Sequence, residues 1–121
     1  MRRKVFFDGG CRPNPGVMEI AVVAVGKVHV VRDAGHGSSM DAEWLALIQA
    51  LRIGLELGEF VLMGDAAAVI GQANGEVRCQ GRNLVHLEVF RALAAGASPH
   101  VRYVKRTQNL AGIALARLHD R

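Results

Sequence analysis

Three acidic residues stand where a chain can do chemistry: Asp8, Glu43 and Asp65. Asp8 follows the short run 4–7, apolar from Val5 onward, and Asp65 follows the apolar run 60–63 and one glycine. Both runs read as strands, so both acids fall at strand carboxyl ends, where α/β sheets place functional groups. Glu43 falls in the first turn of a long helix. Taken singly, each acid reads as an ordinary loop or cap carboxylate. Converging on one crevice, they would form a hard-oxygen site whose desolvation is unfavourable unless a cation is present. Mg²⁺ or Mn²⁺ suits such a site, being bound by a few carboxylates together with water and phosphate oxygens. Asp33 and Asp41 could join it only if their loops fold inward, and His36, in a glycine-flanked loop, is a further candidate ligand or proton donor. Cys11 and Cys79 show no metal-binding spacing and read as free thiols.

The elements that must position these acids follow from periodicity and punctuation. Residues 4–7 form a first strand, and 9–16, rich in Gly, Pro and Asn, a loop. Runs 19–25 and 28–31 form a hairpin about a Gly26-Lys27 turn. Ser38 or Ser39 caps a helix over 40–57 that Gly58 ends. A strand over 60–63, helices over 66–73 and 83–95, a strand over 101–104 and a helix over 110–119 complete the chain. The order β-β-β-α-β-α-α-β-α implies an α/β fold: a five-stranded mixed sheet with helices on both faces. The first three strands form an antiparallel meander, and the last two run parallel to the first.

Composition bounds the rest. A chain of 121 residues makes a single domain, 1–121. Half of it is hydrophobic and 21% charged, which excludes long disorder. Aromatics are only 5%, so Val, Leu, Ala and Ile build the core. No apolar run approaches the ~20 residues of a membrane span. The basic start reaches Asp8 too soon for a signal peptide, and a cytoplasmic location is expected. Net charge is +4, and twelve of the fifteen cations are Arg. That balance permits a polyanion partner and suits bidentate grip on phosphate.

Four local patterns add a resemblance. Asp8-Gly9-Gly10 with Asn14-Pro15-Gly16 resembles the first motif of the type I ribonucleases H. The helix opening Ala42-Glu43-Trp44 resembles the second, and Gly64-Asp65-Ala66 with Val69, Gln72 and Gly75 the third. Arg106, Asn109 and the Leu115-Ala116 pair resemble the fourth. The motifs come in family order and span nearly the whole chain. The short connection 75–83 is similar to the compact archaeal and plant-like branch.

The resemblance implies the ribonuclease H-like fold and divalent-metal-dependent cleavage of the RNA strand of RNA–DNA hybrids. Asp8, Glu43 and Asp65 would be the catalytic, metal-holding residues, with Mg²⁺ or Mn²⁺ as cofactor. Gly9 and Gly10 would let backbone approach the minor-groove 2′-hydroxyls. Asn14 and Gln72 would contact sugar or base edges, and Arg12 and Arg106 would grip phosphates. One position departs: the family's fourth carboxylate, aligned without gaps from Arg106, is Ile113. Shifting by one gives Gly112, which is no acid either. Asp120 shares a helix face with Ile113 but lies about 10.5 Å along the axis, and His119 falls off that face. The loss predicts weakened activity. An alternative is an inactive module on the same fold that binds nucleic acid or a protein partner. A third reading is another acid-dependent nuclease, such as a junction resolvase or an exonuclease.

Overall fold

The computed structural model describes residues 2–119. Its elements are β1 (Arg3–Cys11), β2 (Gly16–Ala24), β3 (Lys27–Val31), β4 (His36–Gly37), α1 (Ser39–Leu57), β5 (Phe60–Gly64), α2 (Ala67–Ala73), α3 (Arg82–Ala94), β6 (Val101–Tyr103) and α4 (Leu110–His119), with a 3₁₀ turn at Arg106–Gln108 before α4. The sheet order is β3-β2-β1-β5-β6. β1, β2 and β3 form the antiparallel meander, and β5 and β6 run parallel to β1. The class is the expected one. A sixth strand, the two-residue β4, pairs with the start of β2 and was not expected.

Period-2 alternation along β1 sends residues to two faces. Val5 and Phe7 enter a core with Trp44, Leu47 and Leu51 of α1 and Leu62 of β5. Phe6 turns to the other face, where Ala21 and Val23 of β2 meet Ala111 and Leu115 of α4. Helices therefore cover both faces, and Asp8, in phase with Phe6, lies on the α4 side.

Two local expectations are corrected. Gly9 and Gly10 are not loop residues: β1 continues to Cys11 because β2 supplies a partner at each step, Gly10 opposite Glu19 and Cys11 opposite Met18. Asp8 thus sits inside a strand, two residues beyond the last parallel pair, Phe6 with Met63. The hairpin turn is Val25-Gly26 instead of Gly26-Lys27, since Ala24 pairs with Lys27. Both turn residues have positive φ, 53° at Val25 and 73° at Gly26. That is the twist a two-residue hairpin requires, and it is an unfavourable one for a β-branched side chain.

Candidate metal centre and nucleic-acid crevice

The three acids meet. One carboxylate oxygen each from Asp8, Glu43 and Asp65 lies within 4.8 Å of the others. Asp8 comes from β1, Asp65 follows β5 directly, and Glu43 is the fifth residue of α1. Gly9 lets helix and strand approach: a Cβ there would lie 2.2 Å from the Ala42 carbonyl oxygen. At that contact the Gly9 N–H donates to Glu43 Oε1 at 2.9 Å. The smallness of Gly9 therefore serves α1 as well as any ligand. Gly10 is the open one, with nothing within 4 Å of a Cβ placed on it.

Burial and mutual repulsion leave these acids short of positive charge. Burial first, then the Asp65 carboxylate, push Asp8 up to about 6, against the pull of Arg106 and the Gly9 N–H. Glu43 is pushed up to about 9, chiefly by burial and then by Asp8, with the Gly9 N–H opposing. Both acids are therefore held above the ordinary carboxylate range, Glu43 further than Asp8. A divalent cation fits this donor set, because it would supply the charge that the surrounding protein does not.

Asn109 holds the arrangement in place. It is wholly buried, and its amide nitrogen donates to Asp65 Oδ2 at 2.9 Å and to the Phe7 carbonyl at 3.0 Å. Its Oδ1 accepts from the Ala111 N–H at 3.1 Å, so the same side chain caps α4. One residue orients Asp65 and fixes where α4 begins.

The acids open into a crevice of about 340 Å³, which Gly10, Arg12 and Arg106 also line. The α4 wall is made by Gly112, Leu115, Ala116 and His119. Ile113, expected at the position of the fourth acid, is not among the lining residues. Its neighbour Gly112 is, and a Cβ on Gly112 would lie 3.5 Å from Asp8 Oδ2. The rotation follows from the burial of Ala111 and Leu115 against β2, which turns Gly112 toward Asp8.

The other expected residues divide. Gln72, expected at sugar or base edges, is largely buried, and its Oε1 accepts from Trp44 Nε1 at 3.2 Å. The core indole needs an acceptor, and α2 supplies it. Asn14 is exposed, with its Oδ1 accepting from the Ser39 N–H at 3.0 Å, which ties the first loop to α1. Asp33 closes a local turn on the Gly35 N–H, and Asp41 is held by Ser38, His86 and Arg82, so neither enters the crevice. His36 lines a separate small cavity beside Asp41 and Arg82. Asp120 lies outside the described residues.

No protein-family model matches the sequence, and comparison with curated proteins gives no match. Solved structures do match. Ribonuclease H1 from the halophilic archaeon Halobacterium salinarum NRC-1 superposes with a TM-score of 0.80 at 29% identity, over 100% of both chains. The chain is ribonuclease H1-like. Two more distant structures share the fold. LC11-RNase H1, solved in complex with an RNA/DNA hybrid, has a TM-score of 0.80 at 21% identity, over 94% of this chain and 93% of that one. The N-terminal RNase H domain of rv2228c from Mycobacterium tuberculosis, solved as a fusion with maltose-binding protein, has a TM-score of 0.74 at 21% identity, over 98% of each chain.

In this ribonuclease H1-like chain, three crevice-related residues escape the sequence reading. Asn109 is visible there only as a motif letter, with no partner to give it a role. Glu19 lines the crevice because the β1–β2 register sets it opposite Gly10, on the sheet face of Asp8. Counting alternation back from Asp8 finds it only when the length of the intervening loop is known. His119, expected off the relevant helix face, lines the crevice because that face runs through Gly112, seven residues earlier.

Proposed function

We propose that this ribonuclease H1-like chain hydrolyses the RNA strand of RNA–DNA hybrids, using Mg²⁺ or Mn²⁺ held by Asp8, Glu43 and Asp65. The observation that carries the reading is the meeting of three carboxylates within 4.8 Å on this fold. A bound divalent ion would neutralise these acids and polarise the phosphodiester and its attacking water. The chain's own groups do the rest. Asn109 keeps Asp65 turned toward the crevice, and the Gly9 N–H orients Glu43. Glu43 must release its proton for the site to load, so loading becomes pH-dependent. Arg12 and Arg106 take phosphates at the crevice walls, and the open backbone at Gly10 lets a ribose approach. No acid faces Asp8 from α4 among the described residues, and the rate is therefore reduced below that of a four-carboxylate site. Two free thiols, Cys11 and Cys79, accord with work in the cytoplasm.

The second reading, an inactive module that binds nucleic acid without cutting it, draws on that same α4 wall of Gly112, Leu115 and Ala116. A labelled RNA–DNA hybrid incubated with Mg²⁺ and then Mn²⁺, beside Asp8→Asn, separates the two. RNA-strand cleavage that Asp8→Asn abolishes supports the nuclease. Hybrid binding with no metal-dependent cleavage hands the site to the binding module.

A further inference from the structure

The crevice does not end at the carboxylates. It continues along α4 to His119, two helical turns beyond Gly112 and on nearly the same face. His119 lines the same crevice as Leu115, Ala116 and Asp8. It lies outside the carboxylate cluster and is no part of the candidate metal centre.

His119 Nε2 bonds Glu19 Oε1, and the other Glu19 oxygen accepts from Arg32 Nε at 3.2 Å. A carboxylate only accepts, so Nε2 carries the hydrogen and the tautomer is set. Nδ1 then has two states: a bare lone pair on the neutral ring, and an N–H donor on the imidazolium. It has no partner among the described residues. The charged groups around the ring are few. Besides Glu19 from β2 and Arg32 after β3, β1 contributes Asp8 and the 3₁₀ turn contributes Arg106. Arg12, Glu43 and Asp65 complete the crevice. Arg32 already balances Glu19, so a proton on His119 adds positive charge to a channel whose other end is acidic.

We propose that His119, oriented by Glu19, is a proton-gated contact for a backbone phosphate of the strand lying in the crevice, beyond the phosphate at the carboxylates. The inference rests on the nucleic-acid reading above and deepens it. The imidazolium donates Nδ1–H to a phosphate oxygen while Nε2–H stays on Glu19. On the neutral ring the Nδ1 lone pair faces the phosphate instead, and the contact is lost. Glu19 acts as a positioning residue.

The test is the affinity for a labelled RNA–DNA hybrid between pH 5.5 and 8.5, with Mg²⁺, in an Asp8→Asn background that leaves the RNA intact. Adding His119→Ala is expected to weaken binding about threefold to tenfold at pH 5.5, the range of a partly exposed charge contact, and to change little at pH 8.5. The slope of log affinity against log salt should fall by about 0.9 at the lower pH only. Glu19→Gln keeps an acceptor for Nε2 and should retain the His119-dependent binding, whereas Glu19→Ala, which leaves Nε2 unheld, should lose it. His119→Gln, which can still bond Glu19, should show the same loss of pH response as His119→Ala and covers the case in which the alanine variant misfolds. A pH profile and salt slope unchanged in both His119 variants would overturn the inference while hybrid binding stands. A background protein that binds no hybrid at any pH would remove the nucleic-acid reading itself, and this inference with it.

Discussion

Gly112 and Ile113 are adjacent, and Gly112 is the one that lines the crevice beside Asp8. A carboxylate introduced at each should therefore behave differently. Gly112→Asp puts an acid against the cluster: metal-free stability should drop, Mg²⁺ should restore much of it by binding only the folded state, and hybrid cleavage should rise tenfold or more. Ile113→Asp should change cleavage far less. Thermal unfolding with and without Mg²⁺, beside a cleavage assay, distinguishes the two positions. Residue type and motif order were enough to pick out Asp8, Glu43 and Asp65. Whether position 112 or 113 faces them was not legible, because it depends on how α4 rotates as Ala111 and Leu115 bury. The bond from Trp44 to Gln72 Oε1 was not legible either: the resemblance gave Gln72 a ligand contact and was silent on its partner in the core. The raised acids also give a pH prediction. Asp8 and Glu43 are held above their ordinary values in the fold, so their protonated forms favour folding at low pH. That contribution is lost as pH rises through about 6 and then about 9. Asp8→Asn should therefore stabilise the metal-free protein at pH 8, by roughly 2 kcal/mol, and make little difference at pH 4. Chemical denaturation in chelator at both pH values measures it.

Among the elements, α1 carries most of the site, and its start is secured twice. Ser38 and Asp41 form a reciprocal capping box, and Asp41 also takes His86 Nε2 at 2.9 Å and Arg82 at 3.3 Å from α3. Burial would raise Asp41, but the Ser38 N–H, His86, the Ser38 hydroxyl and Arg82 outweigh it and hold the acid down at about 2. Stability from this group is present above its ordinary value near 3.8 and disappears as pH falls through about 2. Asp41→Asn should cost about 2 kcal/mol at pH 7 and nothing near pH 2, a difference that denaturation midpoints will show. The serine cap was legible from sequence, since Ser before an apolar helical period is a local signal. The α3 partners were not, because they lie 41 and 45 residues away. The same division explains β1. Gly9 and Gly10 look like punctuation until β2 is known to run beside them and keep the ladder going.

For the molecule as a whole, the order of elements was enough to give the sheet, its parallel half and helices on both faces. It missed β4, two residues long and defined only by a long-range pairing. The chain's charge of +4 adds a global expectation. Hybrid affinity should fall steeply between 50 and 200 mM salt, as roughly 0.9 counterions leave per phosphate neutralised, and duplex DNA should bind more weakly for want of 2′-hydroxyls. Titrations of both at two salt concentrations test this, and equal affinities would remove the argument from Gly10. No helix among the described residues is long and apolar enough to cross a membrane. The hairpin turn, finally, makes the domain improvable at a distance from its chemistry. Val25, 56% exposed, holds a left-handed conformation that asparagine or glycine adopts far more readily. Val25→Asn should raise the unfolding free energy by about 1 kcal/mol while leaving hybrid cleavage untouched, as paired denaturation and activity measurements would show. That gain would partly offset the destabilisation expected from an extra acid at position 112. A surface turn of no chemical consequence thereby governs how much electrostatic repulsion the domain can tolerate at its centre.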